Sequence, residues 1–266
     1  MKVAGKKVLI TGASSGIGAA TAKEIAKRGA EVILLARTEV DLKKIADEIK
    51  AQGGKVSFYP VDLSQLKQTQ ETCSRIEREV GTPDIIFNNV GVGRWLYVEE
   101  TTPEEIVQML SLPFFAAFWV TQFFMSKMLQ RRSGHIVVMS TPAAYYRLPG
   151  ATGYSVARHA MRGFAESLMA DLKGTGIGVT LMVPGFVKTD YFTHNPGVIE
   201  RIPKIAKFIP PLTAEEVAQA VILGIEHEKQ LVIIPFLLKF IMVIHRFVPS
   251  IGNWLMVKTG WRRSGA

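Results

Sequence analysis

Residues 6–18, KKVLITGASSGIG, place Gly12, Gly16 and Gly18 in the spacing G-x3-G-x-G directly after the apolar run Val8-Leu9-Ile10. A buried strand that ends in such a loop and passes into Ala19-Ala20-Thr21-Ala22 turns the unpaired N–H groups of a helix N-terminus toward whatever occupies the loop. Those donors, the positive end of the helix dipole and a backbone bare of Cβ atoms suit a pyrophosphate. Ser14 and Ser15 add hydroxyl donors, and Ile17 lies on the same turn. The chemistry expected of this stretch is dinucleotide binding.

A second apolar run, residues 31–36 (EVILLA), ends in Arg37-Thr38, with no acid before Glu39. In a dinucleotide fold, an acidic residue at this tip accepts hydrogen bonds from a free ribose 2′-hydroxyl, whereas an arginine pairs with a 2′-phosphate. Arg37 therefore predicts NADP(H) in preference to NAD(H).

These residues need a scaffold, and the rest of the chain supplies one. Helical spacing over residues 41–51 is closed by Gly53-Gly54, and residues 55–61 read as a third strand ending in Asp62-Leu63. A charged helix then runs to residue 80, and residues 84–87 (DIIF) form a fourth strand ending in Asn88-Asn89-Val90-Gly91. Thr102-Pro103 reads as an N-cap with Pro at N1, opening a helix to about residue 131 that Pro113 should kink. A fifth strand over 135–139 ends in Ser140-Thr141, a helix covers 154–172, and a sixth strand over 179–183 ends in Pro184-Gly185. A helix over 213–227 and a strand over 231–235 close the series. Strict alternation implies a doubly wound α/β fold: seven parallel strands in the order 3-2-1-4-5-6-7, with helices on both faces.

Length and composition agree. With 266 residues, 48% of them hydrophobic, and no linker or repeat, the reading is one catalytic domain over residues 1–235 followed by an apolar, basic segment over 236–266. A single cysteine, Cys73, excludes an internal disulfide, fits a reducing compartment and reads as a helix packing residue. The net charge of +9 is spread along the chain without a dense basic run, so an anionic cofactor or membrane surface is expected rather than nucleic acid. His135, His159 and His194 lack a metal-ligand spacing, and no metal is expected. The start of the chain leads straight into the first strand, so neither a signal peptide nor an N-terminal anchor is expected; an uncharged stretch of the 18 or more residues that a spanning helix needs is not expected either, and the location predicted is cytoplasmic.

The motifs together resemble the short-chain dehydrogenase/reductase family over residues 5–235. The features that carry the resemblance are Thr11-Gly12-x3-Gly16-x-Gly18, Asp62-Leu63, Asn88-Asn89-x-Gly91, a hydroxyl residue thirteen positions before Tyr154, and Pro184-Gly185 followed by Thr189. The resemblance implies hydride transfer between nicotinamide and a carbonyl or alcohol carbon. It places Asp62 and Leu63 near the adenine and Asn89, Val90 and Gly91 beside the cofactor. Pro184, Gly185, Val187 and Thr189 would hold the nicotinamide. It also implies a homo-oligomer.

The chain departs from the family's Asn-Ser-Tyr-Lys set. Tyr154 is present, but the lysine position holds Arg158, the serine position falls on Thr141 with Ser140 beside it, and the asparagine position falls on Ser111. Arg158, one helical turn after Tyr154, supplies a permanent cation that favours phenolate and offers donors to ribose hydroxyls, yet it will not surrender a proton. Thr141 keeps the hydroxyl that would orient a carbonyl oxygen, and Ser111 is a shortened relay remnant. Two readings follow: an active oxidoreductase, or a degenerate member that binds NADP(H) and acts as a scaffold or sensor.

Tyr145 and Tyr146 either line a substrate pocket or pack a loop. Residues 191–211, with Ile199, Ile202, Ile205, Phe208 and Ile209 among Arg201, Lys204 and Lys207, read either as a greasy lid for a lipophilic carbonyl or alcohol substrate or as a short amphipathic helix on the core. Residues 236–248 (FLLKFIMVIHRFV) lie between Pro235 and Pro249; thirteen residues make only about 20 Å of helix, short of a ~30 Å hydrocarbon core. With Trp254, Trp261, Arg262 and Arg263 beyond it, this segment either packs on the body or a dimer partner, or makes peripheral contact in a membrane interface.

Overall fold

Strands with unbroken Val, Ile and Leu need cover on both faces, and the chain provides it by sending each strand into a helix. A computed structural model describes residues 1–189, 191, 195 and 197–263. Strands β1 (Lys7–Thr11), β2 (Glu31–Ala36), β3 (Lys55–Pro60), β4 (Ile85–Asn88), β5 (Gly134–Met139), β6 (Ile177–Pro184) and β7 (Leu231–Ile234) form one sheet in the order β3-β2-β1-β4-β5-β6-β7. Every neighbouring pair is parallel, as the alternation predicts.

Successive strand residues feed opposite faces. Val8, Ile10, Val32 and Leu34 pack with helices α1 (Gly16–Lys27) and α2 (Glu39–Ala51) on one side. Leu9, Ile33, Leu35 and Ile86 pack on the other with α3 (Leu66–Glu79), whose buried Cys73 thiol is pushed up to about 12 by desolvation, a packing role as read from the sequence. Strand order reverses between β1 and β4, so the carboxyl ends of those two strands open a crevice.

The long helix has a physical break. Thr102 caps α4 (Pro103–Leu110), its hydroxyl accepting the Glu105 N–H at 3.2 Å while the Glu105 carboxylate accepts the Thr102 N–H at 2.9 Å. A π-turn over Ser111–Phe115 absorbs Pro113, which has no N–H to give, before α5 (Ala116–Gln130) resumes. One expectation is corrected here: residues 106–126 are uncharged, and Pro103–Gln130 is long and apolar enough by composition to cross a membrane. In this fold Ala116, Val120 and Phe124 of that helix are buried with α3 and the sheet.

Helix α6 (Thr152–Asp171) completes that layer, α7 (Ala214–Glu226) covers the first face, and the chain then turns through α8 (Phe236–Phe247) and α9 (Pro249–Thr259). Pro235 and Pro249 end the preceding elements but do not hold the segment away from the body, because Leu238 and Met242 are buried in the second core half.

His135 is fully enclosed between β5 and β6. Thr180 donates its hydroxyl to Lys229 O at 2.7 Å, so His135 Nε2, 2.8 Å from Thr180 Oγ1, carries a proton and is the donor there. Burial, then the charged N-terminus, depress its pKa to about 4. The unfolded chain therefore binds this proton first as pH falls. The histidine's contribution is complete above pH ~6.5 and is lost on descending toward 4. Urea unfolding should show about 2 kcal/mol less stability at pH ~5 than at pH ~7, and a His135→Gln variant should lose most of that dependence. An unchanged pH slope in the variant would reject the assignment.

Candidate active site

The glycine loop is shaped by its neighbours at the carboxyl end of β4. Thr11 Oγ1 accepts the N–H groups of Asn89 and Val90, each at 3.0 Å, and Asn89 Nδ2 donates to Thr11 O and Gly12 O at 3.0 and 3.2 Å. Gly12 has φ +66°, and a Cβ there would lie 2.9 Å from Val90 Cα. A Cβ on Gly18 would sit 2.1 Å from Gly12 O, so this glycine serves helix packing and does not itself line the site. Thr189 stands against Gly16, 3.4 Å from the place a Cβ would take.

A continuous cavity of about 1220 Å³ starts at this loop, where Gly12, Ser14, Ser15, Gly16 and Ile17 form its wall. At one end lie Arg37 and Thr38 at the tip of β2, joined by Asp41 and Lys44 from α2. Arg37 is exposed and makes no ion pair among the described residues. Val61 and Leu63 line the same end, while Asp62 itself folds its carboxylate onto Ser64, accepting the N–H at 3.0 Å and the hydroxyl at 2.8 Å.

The middle of the cavity holds the titratable cluster. Tyr154 and Arg158 project from the first turns of α6, both nearly buried, with the guanidinium carbon 4.9 Å from the phenol ring centroid. A Cβ on Gly91 would meet Arg158 Nη2 at 2.8 Å, and one on Gly93 would meet Tyr154 Cδ2 at 2.4 Å; these two glycines leave the slots for the side chains. Ser140 donates to Arg158 O at 3.1 Å and so anchors α6 to the end of β5. Thr141 Oγ1 accepts the Ala143 N–H at 3.1 Å, which leaves its own hydrogen available to the cavity it lines. Val90, Pro184, Gly185, Val187 and Thr189 complete the wall.

The match with the family model described as short chain dehydrogenase covers residues 6–196. The chain belongs to the short-chain dehydrogenase/reductase family. It is 30% identical to 17-beta-hydroxysteroid dehydrogenase 13 of Rattus norvegicus over 251 residues, covering 93% of this chain and 81% of that protein. Its identity to estradiol 17-beta-dehydrogenase 11 of Homo sapiens is 31% with the same coverage. Among solved structures, a short-chain dehydrogenase/reductase from Burkholderia phymatum in complex with NAD superposes with a TM-score of 0.82 at 24% identity, covering 99% of each chain. A short-chain dehydrogenase from Sphingobium yanoikuyae in complex with NADPH gives 0.79 at 22% identity, covering 98% of each. These two likenesses are of fold.

As a member of this family the protein is an oxidoreductase, and its residues fit a nicotinamide dinucleotide. The glycine loop offers helix donors, the far end offers cations, and the buried Arg158 Nε has no protein acceptor among the described residues. Ser111 departs from its expected place: it is buried in the π-turn and lies beside Ser64 and Gln65 in a separate shallow pocket, not on the main cavity. Tyr146 lines the cavity, with desolvation raising its phenol to about 12, while Tyr145 packs under Arg162, 4.1 Å from its ring centroid. His159 bonds Ser155 O at 2.8 Å; His194 lies outside the described residues.

Three site residues escape the motif reading. Lys44 is reached only through the helical phase of α2, Gly93 through its contact with Tyr154, and Tyr191 through its contact with Gly93. The Tyr191 hydroxyl donates to Gly93 O at 2.8 Å. Burial, then Tyr154, hold its phenol well above the usual range, against the opposing pull of Arg158. A Gly93→Ala substitution should displace the Tyr154 ring and cut turnover at least about tenfold while dinucleotide titration changes less than about threefold, because only the reacting group moves. Equal losses in both measurements would show that the glycine serves the loop as a whole.

Proposed function

We propose that the protein interconverts a lipophilic ketone and its secondary alcohol with NADP(H) as the preferred cofactor. The observation that carries this reading is the juxtaposition, in one cavity, of Tyr154, Thr141 and Arg158 with a long apolar extension lined by Ile202, Ile205, Ile209, Leu238, Ile241 and Leu255. The cofactor, when bound, supplies or accepts the hydride. Thr141 directs its hydroxyl hydrogen at the carbonyl oxygen, Tyr154 gives that oxygen a proton during reduction and takes it back during oxidation, and Arg158 keeps a positive charge beside the phenol and donors for ribose hydroxyls. The apolar walls exclude water from the reacting atoms. Steroid carbonyls belong in the substrate panel because one relative is named a hydroxysteroid dehydrogenase and another an estradiol dehydrogenase; fatty-acyl and sphingoid ketones fit the same chemistry.

Arg37 and Lys44 both stand at the β2 end, against the one acid Asp41, and this balance supports a 2′-phosphate. NADPH should bind about tenfold or more tightly than NADH, and Arg37→Ala should remove most of the difference. Equal affinities in the unmutated protein would count against the preference.

Peripheral membrane contact through residues 236–261 and a cytosol-facing location complete the reading. Its support is the row of exposed Phe236, Phe240, Val243 and Phe247 on α8 with Trp254 on α9. Exposed Phe115 at the end of the π-turn and Phe118 on α5 support self-association. The degenerate alternative draws on Arg158 in the lysine position. A ketone panel separates the two: native protein should turn over NADPH with at least one lipophilic ketone, and Tyr154→Phe should abolish this. Absence of native turnover together with a gain in Arg158→Lys would establish the degenerate reading.

A further inference from the structure

Helix α8 is apolar on two sides. Leu238, Ile241 and Ile244 stand on the cavity wall, while Phe236 and Phe247, each 80% exposed, point to the other side with Phe240. Helix α9 repeats the arrangement, with Ile251 and Leu255 on the cavity and Trp254 outside. A helix at a water interface needs one apolar stripe; a helix with two separates two apolar compartments. One compartment is the substrate end of the cavity.

Charge identifies the other. Residues 229–266 contain six Lys or Arg and no Asp or Glu. Exposed aromatic rings set among unbalanced cations match an anionic bilayer surface, where rings sit at headgroup level and cations meet phosphate.

We propose that the α8–α9 pair is a portal, and that the cavity exchanges its substrate with the bilayer directly, past a rim formed by Ile199, Ile244, Val248 and Ile251. This rests on the lipophilic-substrate and membrane-contact readings above. The four rim residues line the cavity and are 40–58% exposed, so an apolar path runs from the surface inward. Passage through water would disfavour a long-chain substrate by about fourfold per methylene, and an apolar rim seated on lipid removes that barrier. The pair is lightly held. No residue of α9 is buried; among the described residues the polar ties of the pair and the tail after it include His245 Nε2 to Tyr145 O at 3.2 Å, the Arg147 N–H to Asn253 Oδ1 at 3.0 Å, the Tyr97 hydroxyl to Trp261 O at 3.2 Å and the exposed Arg263–Glu99 pair at 2.9 Å.

Trp95, on the cavity wall 5.6 Å from the Tyr154 ring, is a built-in reporter. In the full chain carrying Trp119→Phe, Trp254→Phe and Trp261→Phe, its fluorescence is followed after adding a brominated long-chain methyl ketone. The ketone is delivered either in phosphatidylglycerol/phosphatidylcholine vesicles or as a cyclodextrin complex. Vesicle-borne ketone should quench Trp95 faster than the ketone escapes from vesicles into water. Adding Phe240→Asp and Phe247→Asp should abolish vesicle binding and slow vesicle-borne quenching at least about tenfold, leaving cyclodextrin delivery unchanged, which also reports an intact fold.

An unchanged vesicle-borne rate in that variant overturns the portal while leaving the cavity reading intact. If the unsubstituted protein fails to bind vesicles, the membrane reading fails and takes the portal with it. If Trp95 is quenched from neither source, the lipophilic-cavity reading is the one that fails, and the portal goes with it.

Discussion

A buried guanidinium without a carboxylate partner governs the architecture of this site. Arg158 is 5% exposed and forms no ion pair among the described residues, and taking a cation out of water without a counter-charge costs several kcal/mol. What the protein offers in return includes the π face of Tyr154, worth roughly 0.5–2 kcal/mol, and the neighbouring Tyr191 side chain. The remaining donor capacity is a demand for acceptors, and Nε is left without one. A hydroxyl-rich ligand at this position would supply acceptors to the guanidinium, which couples ligand binding to the position of the phenol beside it.

Much of the surrounding backbone follows from accommodating that flat group. Gly91 and Gly93 clear the planes of the guanidinium and the phenol, so the loop after β4 must run within contact distance of α6. Asn89 and Thr11 pin the same loop to the phosphate-binding turn. Ser140 fixes the carbonyl of Arg158 from the end of β5. The loops after β1, β4 and β5 therefore meet at one point because the strand order reverses between β1 and β4. A lysine would need a narrower slot and would give one point charge where Arg158 gives a plane of donors.

The framework was legible because it rests on local rules. Unbroken Val/Ile/Leu runs, glycine stops and the Thr102 cap each act within a few residues, and they recover the sheet order and the glycine loop. The site was legible only as far as its motifs reach. Ser111 aligns by count but is turned away by the π-turn that Pro113 requires, a register change that residue spacing does not reveal. Tyr145 and Tyr146 are adjacent and equivalent in sequence, yet the turn that closes residues 142–144, with Tyr145 at φ −132° and ψ −23°, sends one ring to the cavity and the other to Arg162. The wide apolar arc of residues 236–248 was visible; that half of it faces a cavity depends on residues 199–209 and 146–148 arriving from elsewhere in the chain.

The substrate end is tied to the reacting centre by a short acidic turn. Glu100 binds Arg201 bidentately at 2.5 and 2.8 Å, and Arg201 first, then the Tyr97 N–H, holds its carboxyl at about 2. Glu99 takes Arg263 from beyond α9, and the Tyr97 ring lies under both arginines. Arg201 belongs to the segment that covers the cavity, and Trp95, two residues before Tyr97, packs on Tyr154. Displacement of the cover is thus felt at the phenol through about five residues of one loop, a path made of contacts and not of sequence proximity. The Arg263–Glu99 pair at its outer end is exposed and weak, whereas the Glu100–Arg201 pair is bidentate with the Arg201 side chain only 14% exposed, so the firmer tie between cover and loop is Arg201.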